Sequence, residues 1–420
     1  MSIDNNCKAR RVVVTGMGTV NPIGKSLNEF WENLLTGKSG ISRIDSFDIE
    51  KIDSKIAGQV KNFTPQDLIN VKDLKRMDRF TQFAVVATIQ ALQDSGLVIN
   101  ENNNKYTGVF IGSGVGGLST IEEQHQKLLE KGADRVSPFL IPMMISNMAA
   151  AQVSIFSGAK GPVNTTTTAC AAGSNAIGDA FELIKRGAAD IMIAGGSEAA
   201  ITPLGMAGFS SMHALSTRND DPETASRPFE RDRDGFVMGE GAGILILEEL
   251  GNALKRNAKI YAELSGYGLS GEAYHITALE ESGINVARSM ENCLTEAGFL
   301  KEQVSYINAH GTSTPLNDIA ETNAIKLCFG KHAYEINISS TKSMHGHCLG
   351  AAGAIESIAT VLAIFNGIIP PTINYLNRDE NCDLNYTPNK AVEKKIDVAL
   401  KNSMGFGGHN VTLAFSRFNK

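Results

Sequence analysis

The chain has 420 residues, 42% of them hydrophobic and 20% charged, with a formal net charge of −6. That length exceeds one simple core and predicts two lobes, while the acidic balance argues against nucleic acid as a general partner. No uninterrupted apolar run approaches the ~20 residues of a membrane span, so no membrane association is expected.

The N-terminal MSIDNNCKARR lacks the apolar region of a signal peptide and runs directly into Val12–Thr15, a buried-strand pattern. The Gly16-Met17-Gly18 that follows lacks the third glycine and the later acidic residue of a dinucleotide fingerprint. It reads instead as a tightly packed turn. Residues 27–35 read as helix, 37–71 as loop-rich sequence, and 80–95 as a helix closed by Gly96. A strand over 107–113 leads into a run of glycines, and 121–131 is an amphipathic helix. The Met- and Pro-rich segment 137–151 suits an adaptable apolar surface, a core or a subunit contact.

The stretch NTTTTACAAGSNAIGDAFELIKRG, residues 164–187, joins a polar β-branched run to a helix. Ile177, Ala180, Phe181 and Ile184 follow the i, i+3, i+4, i+7 spacing of an apolar face, and Gly187 is its stop. Cys170 then lies at or just before a helix start, where free N–H groups and the dipole favour thiolate. The competing reading of Cys170 is a small buried hydrophobe. A short strand over 190–194 precedes Gly195-Gly196-Ser197, 215–233 is loop-like, and GFVMGEGAG leads into the strand ILILEE. The six cysteines (7, 170, 293, 328, 348 and 382) have no CxxC or Cys/His metal spacing. Neither a disulfide framework nor a zinc site is expected, and the compartment reads as reducing and cytoplasmic.

The chain then starts again. KIYAELSGYG at 259–268 echoes RRVVVTGMG at 10–18, and VSYINAHG at 304–311 falls where the first half has TGVFIGSG. CLGAAGAIESIATVLAIFNG at 348–367 matches 170–187 with a two-residue offset, and GFGGHNVTLAF at 405–415 echoes GEGAGILILEE. Four matches in one order predict a single α/β unit used twice, at 1–255 and 256–420. Alternating strands and helices predict a mostly parallel sheet. Two largely apolar helices, at 171–186 and 349–365, predict a layered α-β-α-β-α sandwich with both buried between sheets.

Three segments after predicted strands carry candidate chemistry: Cys170, His310 in Asn-Ala-His-Gly-Thr, and Lys342-Ser-Met-His-Gly-His347. His310 and His347 are embedded in glycine and hydroxyl residues at strand-to-loop switches, where open α/β sheets place sites. His345 is ambiguous. His125, His213, His275, His332 and His409 read as structural.

Together TTTTACAAGSNAIGDA, NAHGTSTPLNDIAET, STKSMHGHCLGAAGAIES, PPTIN and NSMGFGGHN span nearly the whole chain. These segments resemble the 3-oxoacyl-acyl-carrier-protein synthases, the condensing enzymes of fatty acid synthesis, and among them the type II, long-chain elongating branch. The resemblance implies the thiolase-like fold, an acyltransferase activity, an acyl carrier protein as partner and a homodimer, without metal or cofactor. It implies Cys170 as the acyl-accepting nucleophile and His310 and His347 as the pair promoting malonyl decarboxylation. Lys342 and Glu356 are implied as their polar network. Phe406 is implied as a gate whose N–H joins that of Cys170 in an oxyanion hole. Val115 and Phe209 are implied as acyl-pocket walls, and Lys72, Lys75 and Arg76 as the carrier-docking patch.

The chemistry agrees. A soft thiolate forms an acyl-enzyme that splits the task in two, and imidazole N–H donors stabilise the enolate left by CO₂ loss. The chain departs from the family at His345, Met404 and His409, which stand where threonine, phenylalanine and threonine are usual. A degradative thiolase would carry a second cysteine near Gly405-Phe-Gly-Gly408, an initiating synthase an Asn for His347, and a chain-length factor no Cys170. A type I elongating synthase or a polyketide-type ketosynthase is the alternative within the fold.

Overall fold

The computed structural model describes residues 10–419; the readings of the N-terminal segment and of Cys7 lie outside them. Strand β1 (Val12–Val20) is buried throughout. It does not turn at Gly16 but runs on through Gly18. A Cβ at Gly16 or Gly18 would sit 2.5 Å from the Ala91 carbonyl oxygen or 2.1 Å from that of Ala87. The glycines let a helix lie directly on the strand, so close packing was the correct part of that expectation and the turn was not. Helix α1 (Leu27–Thr36) comes next in the chain. The helix on the strand is α2 (Arg79–Ser95), capped by Asp78 and closed by left-handed Gly96.

The first half continues with β2 (Thr107–Gly112), α3 (Leu118–Lys131), α4 (Met148–Ser157) and β3 (Val163–Asn164). It ends with α5 (Ala172–Lys185), β4 (Ile191–Glu198) and β5 (Gly241–Glu249). The second half has β6 (Ala262–Gly271), α6 (Ile284–Ala297), β7 (Val304–Asn308) and α7 (Pro315–Phe329). It closes with β8 (Asn337–Ser339), α8 (Ala352–Asn366), β9 (Val398–Gly405) and β10 (His409–Ser416).

The strand order is β3-β2-β4-β5-β1 in one half and β8-β7-β9-β10-β6 in the other. The halves join edge to edge where Val12–Val14 pairs with Ala262–Leu264. One unit has been built twice. Helices α5 and α8 touch each other and strands of both halves, while α2 and α4 cover one outer face and α6 covers the other. This is the α-β-α-β-α order, and the thiolase-like fold. Residues Ala352–Ile364 are all buried. The segment Leu349–Asn366 is long and apolar enough to cross a membrane, but 89% of it is buried inside the protein.

One expectation changes. The sheet is mixed: β2 runs parallel to β3 and β4, and β7 to β8 and β9, but the remaining pairs are antiparallel. Only connections crossing over through a helix return a strand parallel, and β9 reaches β10 by a hairpin. The two-residue offset of the repeat is seen at the central helices. Each central helix follows a 3₁₀ turn, Ala169–Ala171 and Leu349–Ala351, so Cys170 corresponds to Gly350 and not to Cys348.

Candidate active site

The turn holding Cys170 begins with Ala169 in the left-handed region at φ 48°, and its counterpart Leu349 has φ 46°. That conformation costs ~1–2 kcal/mol for a residue with a Cβ. It bends the chain sharply so that Cys170 leaves the sheet at the head of α5. The head of α5 abuts that of α8: a Cβ on Gly353 would lie 2.3 Å from Ser174 Oγ. Small residues at both helix starts therefore fix the nucleophile segment against the segment following His347.

Cys170, His310 and His347 line one cavity of about 360 Å³, together with Phe209, Met404 and Phe406. The imidazoles of His310 and His347 stand edge to face with centroids 5.3 Å apart. Phe236, another wall residue, packs on His347 at 5.3 Å. Phe209 bridges Phe236 at 5.5 Å and Phe406 at 6.4 Å.

Behind the rings lies a fully buried polar network. Lys342 Nζ donates to the His310 carbonyl oxygen at 2.6 Å, lies 3.4 Å from His310 Nδ1, and pairs with Glu356. An ammonium facing Nδ1 leaves the ring proton on Nε2. Glu321 accepts the N–H groups of His310 and Gly311, each at 2.8 Å, and so fixes the loop. Burial, reinforced by the Lys342 cation, holds both imidazoles well below their ordinary pKa. Both rings are thus neutral at pH 7. Burial works against the Glu356 charge, but Lys342 and Lys401 outweigh it and hold the carboxyl below its usual range.

Cys170 differs from expectation. Burial pushes its thiol up to about 12, against the pull of the Lys342 cation and of the Phe406 and Cys170 N–H groups. The residue lies within the 3₁₀ turn that leads into the α-helix, and burial is the largest influence on its thiol. The resting group is a thiol, and two backbone N–H groups point towards it.

The remaining sequence candidates divide. Phe209, Phe406 and Met404 line the cavity. Val115 follows β2 at 39% exposure and is not part of this lining. Lys72, Lys75 and Arg76 are exposed on and after a short helix, with Arg76 over the Phe139 ring at 4.9 Å. His345 is buried outside the cavity, with Nε2 2.9 Å from Thr341 Oγ1 and Nδ1 2.7 Å from the Gly346 carbonyl oxygen. His213, read as structural, lines the cavity.

Four further supports have no counterpart in the sequence reading: Glu198, Phe236, Glu321 and Lys401. Glu198 accepts N–H groups from Gly114 at 2.7 Å and Gly350 at 3.1 Å, tying the glycine loop after β2 to the turn before α8. A carboxylate ending the apolar strand IMIAGGSE, and a lysine inside VALKNSMG, were the available signals.

The fold and this arrangement define a carbon–carbon condensing acyltransferase, and the family models agree. "Beta-ketoacyl synthase, N-terminal domain" matches residues 9–253 and "Beta-ketoacyl synthase, C-terminal domain" residues 261–376. The chain belongs to the β-ketoacyl synthase family. It is 56% identical over 413 residues to the 3-oxoacyl-[acyl-carrier-protein] synthase 2 of Synechocystis sp., covering 98% of this chain and 99% of that protein. The Staphylococcus aureus protein of the same name is 52% identical over 409 residues, covering 97% and 99%. Among solved structures, a type II polyketide ketosynthase in complex with its acyl-carrier protein superposes with a TM-score of 0.92 at 40% identity, covering 98% of this chain and all of that one. A β-ketoacyl synthase from Burkholderia phymatum gives 0.91 at 34%, with the same coverage.

Proposed function

We propose that this chain condenses malonyl-acyl-carrier protein with an acyl group held on Cys170, giving 3-oxoacyl-acyl-carrier protein, CO₂ and free carrier. The observation that carries the reading is the opening of one thiol and two neutral imidazoles into a single cavity beside Phe406.

Cys170 attacks the acyl thioester, and the carrier thiol leaves with the proton. The N–H groups of Cys170 and Phe406, which point at the sulfur region, take the oxyanion. Malonyl thioester then loses CO₂, and its enolate oxygen accepts Nε2–H bonds from His310 and His347. Each such donor contributes roughly 3 kcal/mol. The enolate carbon attacks the Cys170 thioester, forms the new carbon–carbon bond and expels the sulfur as thiolate, which takes a proton from water to restore the thiol. Lys342, bonded to the His310 loop, keeps that ring neutral and oriented, and Glu356 holds Lys342. Phe406, on a hairpin containing Gly407 and Gly408 at positive φ, gates the cavity. Phe209, which lines the cavity, is assigned to the acyl pocket; Val115, outside this lining, is not.

The carrier is assigned to the exposed cations Lys72, Lys75 and Arg76, a local basic patch on an acidic protein. A homodimer is supported by exposed apolar side chains on α3, α4 and the β3 edge, where Leu129, Ile155 and Val163 are 74%, 73% and 44% exposed. A cytoplasmic location is the matching reading.

Intact-protein mass spectrometry after incubation with acyl carriers of graded length tests the assignment. One acyl group should appear on Cys170, then disappear as malonyl carrier yields a product two carbons longer. Acylation elsewhere defeats the reading. Repeated extension of one chain without release favours the polyketide alternative.

A further inference from the structure

Lys401 is fully buried in the middle of β9. Its ammonium lies 2.7 Å from Glu356 Oε2, an oxygen that receives no well-directed hydrogen bond. The lysine's donors are aimed instead at its own strand, at the Asn402 carbonyl oxygen and at Ser403 Oγ, the latter 2.9 Å away. The other Glu356 oxygen holds Lys342 and, through it, the His310 loop.

The neighbours of Lys401 continue the connection. Ser403 Oγ lies 2.8 Å from Ser174 Oγ on α5, the helix that follows Cys170. Asn402 donates at 3.2 Å to Glu321, which in turn accepts the His310 and Gly311 N–H groups. Three consecutive residues of β9 therefore touch the supports of the histidine loop, the lysine pair and the nucleophile helix.

We propose that Lys401 is a positioning residue of the condensation site: as the second cation on Glu356 it keeps that carboxylate charged, fixes Lys342 against His310, and keeps His310 and His347 neutral. The inference rests on the condensing role given above. A buried carboxylate with a single lysine is one neutral pair; the second lysine adds one positive charge beside Glu356. That surplus opposes a proton on any imidazole nearby. The groups facing Lys401 are Glu356 on α8, Lys342 before it, Glu321 on α7, and the rings of His310, His345 and His347. Lys401 contributes in the depressing direction to all three histidines. Burial draws its own pKa down to about 8, against the pull of Glu356, so it is charged at pH 7.

Lys401→Met keeps the volume and removes the cation. Removing one member of a buried charge cluster is destabilising, but Lys342 still pairs with Glu356 in this variant, and Lys401→Gln serves if the first variant does not fold. The expected result is a roughly tenfold lower kcat for malonyl decarboxylation at unchanged KM, with the acid limb of the pH–rate profile moved up by about one unit. Diethyl pyrocarbonate labelling of His310 and His347, read by peptide mass spectrometry across pH, reports ring protonation without turnover. In the variants it should fade at higher pH than in the parent. A reduced kcat with both pH profiles unmoved shows a merely structural lysine and overturns the proposal, as does a variant indistinguishable from the parent. A parent protein that fails to condense defeats the functional assignment instead, and the labelling comparison still decides the role of Lys401.

Discussion

At the scale of single residues the site works by dehydration. The same burial that raises the Cys170 thiol keeps His310 and His347 neutral, so the chemistry depends on donors and not on a resting thiolate. Cys170→Ala should abolish condensation while leaving malonyl decarboxylation measurable as released CO₂, because both imidazoles remain. His310→Ala should spare the other half-reaction: acylation of Cys170 persists by mass spectrometry while decarboxylation, and condensation with it, falls ~10²–10³-fold. Condensation at the parent rate in His310→Ala would show that the roles are assigned wrongly. His345 gives a stability test. Burial lowers its pKa from 6.5 to about 4, so between those values the unfolded chain binds a proton that the folded chain refuses. Its contribution to stability is complete above pH 6.5 and is lost as pH falls towards 4. His345→Gln should flatten the pH dependence of urea unfolding across that window by about 1.4 kcal/mol per pH unit.

At the scale of elements, contact between backbones decides where the chemistry sits. Helix α2 lies on β1 only because Gly16 and Gly18 have no Cβ. Gly18→Ala places a methyl group against a helix carbonyl and should destabilise by about 1–3 kcal/mol in urea unfolding. Gly208→Ala, in a helix and with nothing within 4 Å of the added carbon, should stabilise by up to ~1 kcal/mol. Equal effects at the two positions would mean that backbone approach does not govern the first. The pairing of the α5 and α8 starts follows the same rule, and it holds Cys170 opposite the histidines.

At the scale of the whole molecule, the duplicated unit brings residues from both halves to one end of the fold. The carrier has to reach that end over the surface of a chain whose net charge is −6. Screening confines attraction to about 8 Å at physiological salt, so a local patch can operate on an acidic protein. Replacing Lys72, Lys75 and Arg76 together by Glu should raise KM for carrier-linked substrates at least tenfold and leave free thioester substrates near the parent value. An equal change for both would remove docking from these residues.

The amino-acid sequence determined the elements, the doubling and the reactive side chains, because apolar period, glycine position and motif order are local properties. Cys170, His310, His347 and Lys342 stood out for that reason. It did not determine strand direction, since a hairpin and a crossover leave similar apolar runs. Nor could it show that Cys170 rests protonated or that Lys401 meets Glu356. Those outcomes depend on how much water the packed halves expel and on which charges they leave side by side, and both are settled only when segments distant in the chain close on one another.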